Sequence, residues 1–499
     1  MHASPVPASA AAVNAAAAAA AAAAAVTAAS RPLDFDASLV RRLTRPGPRY
    51  ACYPTADRFS ADFTYRDYLH AVASLRTRGS DKPLSLYLHV PFCDSACHFC
   101  ACDKIVTRNR DKAAVYLSYL KREIDMQGRL FGGMNHVEQL HFGGGTPTYL
   151  SDAQMEELML HLRRCFQFAP DEVGEYAIEV DPRTVSAERV HSLRRQGFNR
   201  ISLGVQDYDE QVQVAVNRVQ PEHETQAIID AARAAGFRSV SIDLIYGLPK
   251  QDLATMAQTL AKVIKAAPDR IAVYNYAHLP HLFKPQRRII EADLPSAETR
   301  LAMLGLCIAT LGAAGYTYIG MDHFARPDDD LAIAQKQGRL HRNFQGYSTY
   351  ADMDLVSCGV SAISSVAATY SQNVKTLDAY YDLIDRNELP IERGIRLNMD
   401  DALRRTIIQM LMCQFELSIS AIEMAYPIVF ADYFAAELTQ LAALEEDGLV
   451  TLEPEWLSVT ARGRILIRNV CMVFDRYLST GAAGGAGTGP TPARHSRTI

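Results

Sequence analysis

Between Leu84 and Tyr318 the chain repeats one pattern, a short apolar run followed by an amphipathic stretch. The runs are Leu84–Val90, Val137–Phe142, Tyr176–Val180, Arg200–Val205, Ser239–Ile245, Arg270–Tyr276 and Tyr316–Gly320. The stretches include Lys112–Arg129, Asp152–Phe166, Ala187–Gln196, Pro221–Ala235, Leu253–Ala267 and Ser296–Ala314. A short apolar run suits a buried strand, and helical periodicity suits a helix that covers it. Asp152 and Ser296 stand where helices start, and Gly197, Gly236 and Gly315 where they stop. Repeated βα units predict an α/β body, a parallel sheet curled into a partial or full barrel with helices outside. Ligands of such sheets gather at the C-terminal strand ends. Cys93, Gly143, Glu179, Gln206 and Asp243 fall there or within the last turns of the strands.

From about Asn398 the pattern changes. Helical stretches at Asp401–Cys413, Ala421–Met424 and Phe430–Leu444 precede strand-like runs at Leu449–Leu452 and Leu457–Thr460, with a closing helix from Ala461 to about Tyr477. This predicts a mainly helical, winged-helix-like domain. Its acidic Glu445, Glu446 and Asp447, and the lack of a basic stripe, favour a structural or lid role over nucleic-acid binding. The whole chain carries 51 Lys and Arg against 56 Asp and Glu, a formal charge of −5, which also argues against a general nucleic-acid binder. Ala15–Ala25 has no preceding Lys or Arg, so it reads as a weakly helical tail and not a secretory signal. No other uncharged apolar run approaches the ~18 residues of a membrane span. The expected divisions are 1–30 tail, 31–82 N-terminal extension, 83–390 barrel, 391–478 helical domain and 479–499 tail.

Ten cysteines are too sparse for a disulfide scaffold, yet four fall together in Cys93-Asp-Ser-Ala-Cys97-His-Phe-Cys100-Ala-Cys102. Three thiolates at CxxxCxxC spacing in a loop leaving a strand suit one face of an iron–sulfur cluster. Zinc is the competing reading, with Cys102 or His98 completing a closed set. Gly143-Gly144-Gly145-Thr146-Pro147 follows a strand and lets backbone amides approach a ligand. Glu179 and Asp243 sit in apolar runs, where a carboxylate needs a partner. Glu179 reads either as the holder of a cation or as the partner of a protein Lys or Arg. Arg218, taken alone, reads as a solvated charge on a helix face. His278 and His281 flank Leu279-Pro280 and read as ordinary polar residues, not a metal pair.

The cysteine loop, from Tyr87-Leu-His-Val-Pro-Phe-Cys93 to Cys102-Asp-Lys-Ile-Val-Thr-Arg108, resembles that of radical S-adenosylmethionine enzymes. The likeness is closer still to the oxygen-independent coproporphyrinogen III oxidases. It runs from about Pro48 to Tyr477 and includes Tyr53-Pro54-Thr55-Ala56, His141-Phe-Gly-Gly-Gly-Thr-Pro147, Ile178-Glu-Val-Asp-Pro182, Gly204-Val-Gln-Asp207, Ile242-Asp-Leu-Ile-Tyr-Gly-Leu-Pro-Lys250 and His341-Arg-Asn-Phe-Gln-Gly-Tyr347. The resemblance implies a partial radical-SAM barrel in which Cys93, Cys97 and Cys100 hold a [4Fe–4S] cluster and Cys102 does not. It implies contacts to a first S-adenosylmethionine from Tyr87, Gly144, Gly145, Thr146, Glu179 and Ile363, and to a second from Phe99, Gln206, Arg218, Asp243 and Ala277. The activity it implies is the anaerobic oxidative decarboxylation of two propionates of coproporphyrinogen III to vinyl groups, through a 5′-deoxyadenosyl radical.

The same resemblance implies a reductant such as flavodoxin or ferredoxin, a separate electron acceptor, no nucleic acid or membrane partner, a monomer and a cytoplasmic setting. Basic side chains should meet the four substrate carboxylates, and Arg49, Lys104 and Arg108 lie near the motifs. The rival expectations are a haem-carrying chaperone of the same superfamily and a zinc-stabilised barrel without redox chemistry.

Overall fold

The computed structural model describes residues 33–350 and 353–479. The expectations for the alanine tract at 1–30 and for the closing low-complexity tail lie outside the described residues. The chain divides into two compact units, one of residues 58–303 and 353–396, the other of residues up to 57, 304–352 and from 397 onward.

In the first unit the strands β1 (Leu84–Val90), β2 (His136–Gly144), β3 (Glu175–Val180), β4 (Arg200–Gln206), β5 (Ser239–Tyr246), β6 (Arg270–Asn275) and β7 (Asp354–Cys358) are all parallel. Their spatial order is β6-β5-β4-β3-β2-β1-β7, an open run and therefore a partial barrel. Three antiparallel strands extend it beyond β7: β8 (Ile363–Val366), β9 (Thr369–Asn373) and β10 (Ile391–Arg396). The helices are α1 (Tyr65–Thr77), α2 (Asp111–Leu130), α3 (Asp152–Cys165), α4 (Ala187–Arg195), α5 (Glu210–Ala215), α6 (Glu222–Ala235), α7 (Leu253–Ala266) and α8 (Leu377–Asp385).

Their ends have local causes. The Ser151 hydroxyl accepts from Gln154 N at 3.2 Å, and the Gln154 side chain returns to Ser151 N at 3.0 Å, so α3 begins in a capping box. Helix α6 stops at Gly236, whose φ of +83° is the left-handed turn that favours glycine. Strand residues facing the helices, such as Leu86, Leu140, Ile178, Leu203, Ile242 and Val273, are buried and form the core with Leu120, Leu158 and Leu260.

Three expectations are corrected here. The run at Tyr316–Gly320 is not a seventh parallel strand. Its strand, Thr317–Gly320, pairs antiparallel with His323–Ala325 in the second unit. The seventh parallel strand is β7, which lacks a following amphipathic helix and so lacked the pattern that marks the others. Strand β3 is not the wholly buried strand that its apolar run suits: its exposure alternates, and Ala177 and Glu179 are half-buried. Finally, Ala461–Tyr477 is not one helix. Turns lead into Ile467–Val473 and Arg476–Ser479.

In the second unit, helices Met399–Gln414, Ile419–Ala425, Phe430–Tyr433 and Ala435–Glu446 accompany a three-stranded antiparallel sheet. Its order is Glu416–Ser418, Trp456–Val459, Val450–Leu452, the wing expected plus one added strand. Among the described residues no helix is long and apolar enough to cross a membrane.

One buried carboxylate ties α2 to the sheet extension. Glu123, fully buried, accepts from Gly359 N at 2.7 Å, Asn373 Nδ2 at 2.8 Å and Tyr380 Oη at 2.5 Å. Burial pushes its carboxyl up to about 7. The folded chain therefore keeps a proton that the unfolded chain releases above its ordinary value. Stability should fall as pH rises from about 4.5 to about 7 and level off above. We expect Glu123→Gln to flatten that slope in urea unfolding. Glu123→Ala, which orphans three donors and opens a cavity, should cost about 3–5 kcal/mol in the same measurement.

Candidate functional site

A cavity of about 1310 Å³ opens at the C-terminal ends of the parallel strands. Its walls include Cys93, Cys97, Phe99, Cys100, Gly144, Gly145, Thr146, Glu179, Gln206, Arg218 and Asp243, together with Lys104 and Arg108. Tyr87, Ala277 and Ile363 do not line it. They join it at one remove, as described below.

The cysteine loop is closed at its neck by a small parallel pairing of Phe92–Cys93 with Ile105–Val106. Thr107 N donates to Cys93 O at 3.0 Å. Gly145 N donates to Val90 O and Thr146 N to Phe92 O, both at 2.8 Å, which sets the glycine turn against the loop. A Cβ at Gly145 would lie 2.7 Å from the Pro91 and Phe92 carbonyls, so only glycine permits this approach. The Cys93 Sγ is then 3.4 Å from Thr146 Oγ1. On the far side, His98 N donates to Val216 O at 2.9 Å and Asn217 Nδ2 to Ala96 O at 2.8 Å, pinning the loop to the turn after α5.

The three thiols face different surroundings. Burial pushes the Cys93 thiol up to about 11. The Cys102 thiol beside it, with Lys104 nearby, holds the Cys100 thiol below its usual range. Cys97 Sγ faces two guanidiniums, Arg218 Nη1 at 3.3 Å and Arg183 Nη2 at 3.6 Å. Both arginines share the buried Asp181, at 3.1 and 2.7 Å. Burial works against that carboxylate, but the two guanidiniums hold it below its usual range. Two cations against one anion leave positive charge aimed at the Cys97 sulfur. Arg183 and Asp181 were not singled out from sequence, since an Asp-Pro-Arg run reads as a turn. Arg218 is not a solvated charge on a helix face. It is buried, in the turn after α5, and donates to Gly204 O at 3.2 Å through Nε. A Cβ at Gly204 would lie 2.9 Å from Arg218 Nη2, so that glycine makes its room.

Glu179 Oε1 lies 3.1 Å from His141 Nε2, so its protein partner is a histidine, not the Lys or Arg of the alternative reading. The Glu179 side chain is 45% exposed, toward the cavity. The Tyr87 ring stacks on His141 with centroids 5.9 Å apart. Tyr87 pairs in register with Ser357, whose hydroxyl donates to Ile363 O at 2.6 Å, which connects Ile363 to the same wall. Asp243 accepts from Ser202 Oγ at 3.2 Å, and burial, with Glu179 adding, pushes its carboxyl up to about 7. Gln206 sits at a bulge with φ +69°, a strained setting for a non-glycine residue that the cavity wall imposes.

Gln286 is a site residue that sequence reading missed, because nothing marks a lone glutamine as structural. It is almost fully buried. Its Nε2 donates to Phe99 O at 3.0 Å and to Ala277 O at 3.2 Å, while Oε1 accepts from Leu279 N at 2.6 Å. It thus ties the cysteine loop to the turn after β6. His278 Nδ1 is engaged by Tyr276 Oη at 2.8 Å. Arg49 lies in the second unit, paired with Asp322.

The donor set fits an iron–sulfur cluster with an open iron: Cys93, Cys97 and Cys100 line one cavity, and Cys102, which lines it too, is the most exposed of the four and is engaged by the Cys100 side chain. A glycine cradle and an unneutralised carboxylate beside it fit a ligand bearing carboxylate and cationic groups.

The comparisons point the same way. The Radical SAM superfamily model matches residues 87–263, and the HemN C-terminal domain model matches residues 397–466. The oxygen-independent coproporphyrinogen III oxidase of Escherichia coli K12 is 51% identical over 446 residues, covering 89% of this chain and 96% of that one. The Pseudomonas aeruginosa protein of the same name is 50% identical over 444 residues, covering 89% and 96%. A solved structure of Escherichia coli coproporphyrinogen III oxidase, described as a radical SAM enzyme, superposes with a TM-score of 0.85 at 50% identity, covering 90% of this chain and all of that one.

Gln286→Ala should loosen both segments it holds. Hydrogen–deuterium exchange should quicken in peptides spanning 97–100 and 277–280 and stay unchanged in α2, with a stability loss of about 1–3 kcal/mol.

Proposed function

Since the chain belongs to the oxygen-independent coproporphyrinogen III oxidases, radical SAM enzymes, we propose that its cavity converts two propionates of coproporphyrinogen III to vinyl groups, giving protoporphyrinogen IX. The observation that carries this reading is the convergence of Cys93, Cys97 and Cys100 on one cavity wall, beside the Gly144–Thr146 turn and Glu179. When bound, a [4Fe–4S] cluster and S-adenosylmethionine supply a 5′-deoxyadenosyl radical that takes hydrogen from a propionate β-carbon.

The chain's own residues bind, orient and exclude. Cys93, Cys97 and Cys100 hold the cluster, and Arg183 and Arg218 donate to Cys97 Sγ and orient it. The Gly144 and Gly145 backbone and Thr146 receive the amino-acid end of a first S-adenosylmethionine. Glu179, oriented by His141, meets its positive charge. Phe99, Gln206, Arg218, Asp243 and Ala277 receive a second S-adenosylmethionine, with Gln286 keeping Phe99 and Ala277 in register. Lys104 and Arg108, on the same cavity, supply charge for substrate carboxylates. The closed loop neck and deep strand ends keep water from the reacting centre. Loss of carbon dioxide and a second electron then leaves the vinyl group. An acidic one-electron carrier such as flavodoxin or ferredoxin is the reductant, a separate acceptor takes the second electron, and the protein works as a cytoplasmic monomer. The relatives matched bear the oxidase name, and nothing favours the haem-carrier or zinc-barrel readings.

Anaerobic reconstitution followed by porphyrin analysis tests the activity directly. Protoporphyrinogen should form from coproporphyrinogen only with S-adenosylmethionine and a reductant present. Cys93→Ser, Cys97→Ser and Cys100→Ser should each lose most iron and all product, whereas Cys102→Ser keeps its iron. Equal iron loss in all four would make Cys102 a ligand.

Glu179→Gln separates cofactor binding from stability. A half-exposed pair with His141 is worth at most about 1 kcal/mol, so the melting temperature should barely move. S-adenosylmethionine affinity and cleavage should fall at least tenfold. A lowered melting temperature with unchanged affinity removes Glu179 from the cofactor site.

A further inference from the structure

Outside the cysteine cavity, helices α2 and α3 bring a carboxylate, an imidazole and a thiol to one point. We propose that Asp125, His161 and Cys165 form a binding site for a zinc-class divalent cation. His161 and Cys165 are four residues apart on α3, hence on one face, and Asp125 faces them from α2. One ligand atom from each lies within 4.8 Å of the others. Asp125 Oδ1 is 2.9 Å from His161 Nε2 and 3.3 Å from Cys165 Sγ. Tetrahedral zinc takes S at about 2.3 Å and N or O at about 2.0–2.2 Å, which sets ligand-to-ligand edges of about 3.2–3.7 Å. Opening the cluster by a few tenths of an ångström therefore makes room for the ion.

The close approach is built into the backbone. A Cβ on Gly128 would lie 2.9 Å from Cys165 Cβ, so glycine on α2 admits Cys165 beside Asp125. His161 is mostly buried, and its Nε2 also meets Lys121 O at 3.1 Å, a bond that the ion replaces, while Asp125 is 41% exposed and leaves a fourth position to water. Mixed S, N and O donors select zinc-class ions over magnesium or calcium, which want oxygen alone. Arg164 Nη2 now donates to His161 Nδ1 at 2.9 Å, so Nε2 carries the ring proton. On binding, that proton moves to Nδ1, the exposed Arg164 turns to solvent, and the thiol proton leaves to water. The ion clips two neighbouring helices of the barrel wall and takes no part in the cavity's chemistry.

The test uses the full chain with its iron–sulfur cluster assembled, titrated anaerobically with zinc chloride against a chromophoric chelator. Iron and sulfide are counted before and after. Wild type should bind one zinc per chain with iron retained. Cys165→Ser and His161→Asn should bind it at least tenfold more weakly while keeping iron and near-native melting. Asp125→Asn provides a third variant if either fails to fold. Magnesium should not compete. No zinc uptake by wild type, equal affinity in the variants, or uptake matched by iron loss each overturns the site. The last outcome would send zinc to Cys93, Cys97 and Cys100. None of these readouts depends on porphyrin chemistry.

Discussion

Two backbone hydrogen bonds, Gly145 N to Val90 O and Thr146 N to Phe92 O, carry the pairing of β1 and β2 beyond the ends of both strands. Everything at the site is set from them. They place the start of the cysteine loop against the glycine turn and bring Thr146 to Cys93. A side chain at position 145 would strike the facing carbonyls, so the join exists only because the turn is glycine. The cysteine loop and the glycine turn are thus set against each other by one strand pairing.

Charge is organised around that ladder by burial. Asp181 is shared by Arg183 and Arg218, which leaves a net cation facing Cys97. Across the cavity, burial, with Glu179 adding, pushes the Asp243 carboxyl up to about 7. A cavity with positive charge at the thiolates and surplus carboxylate opposite is poised for a ligand that is itself zwitterionic. Its protein partners alone do not neutralise it, which is why the carboxylates face the opening and not the core.

Much of this was legible in the residues. Cys93, Cys97 and Cys100 were marked by spacing, and Gly144 and Gly145 by composition. The alternation of apolar runs and amphipathic stretches marked β1 to β6 and most of their helices. What escaped has a common cause. Strand β7 lacks a crossover helix after it, so it broke the period by which the others were recognised. Gln286 acts through three backbone groups distant in sequence, and no residue pattern signals such a bond. Arg218 was marked by the resemblance and not by its own pattern; only the turn after α5 folds it inward onto Asp181.

The sequence by itself determined the parallel sheet, the helices that cover it and the loop that gathers the thiols. Each of these follows from periodicity, glycine positions or short spacing, which act over a few residues. Tertiary structure alone decided which charges became partners. Glu179 met His141 and not a Lys or Arg, Cys97 met two guanidiniums, and Asp125 met His161 and Cys165 across two helices. Partnership of this kind depends on strand register and helix packing, which the local pattern leaves open until the sheet has packed against its helices.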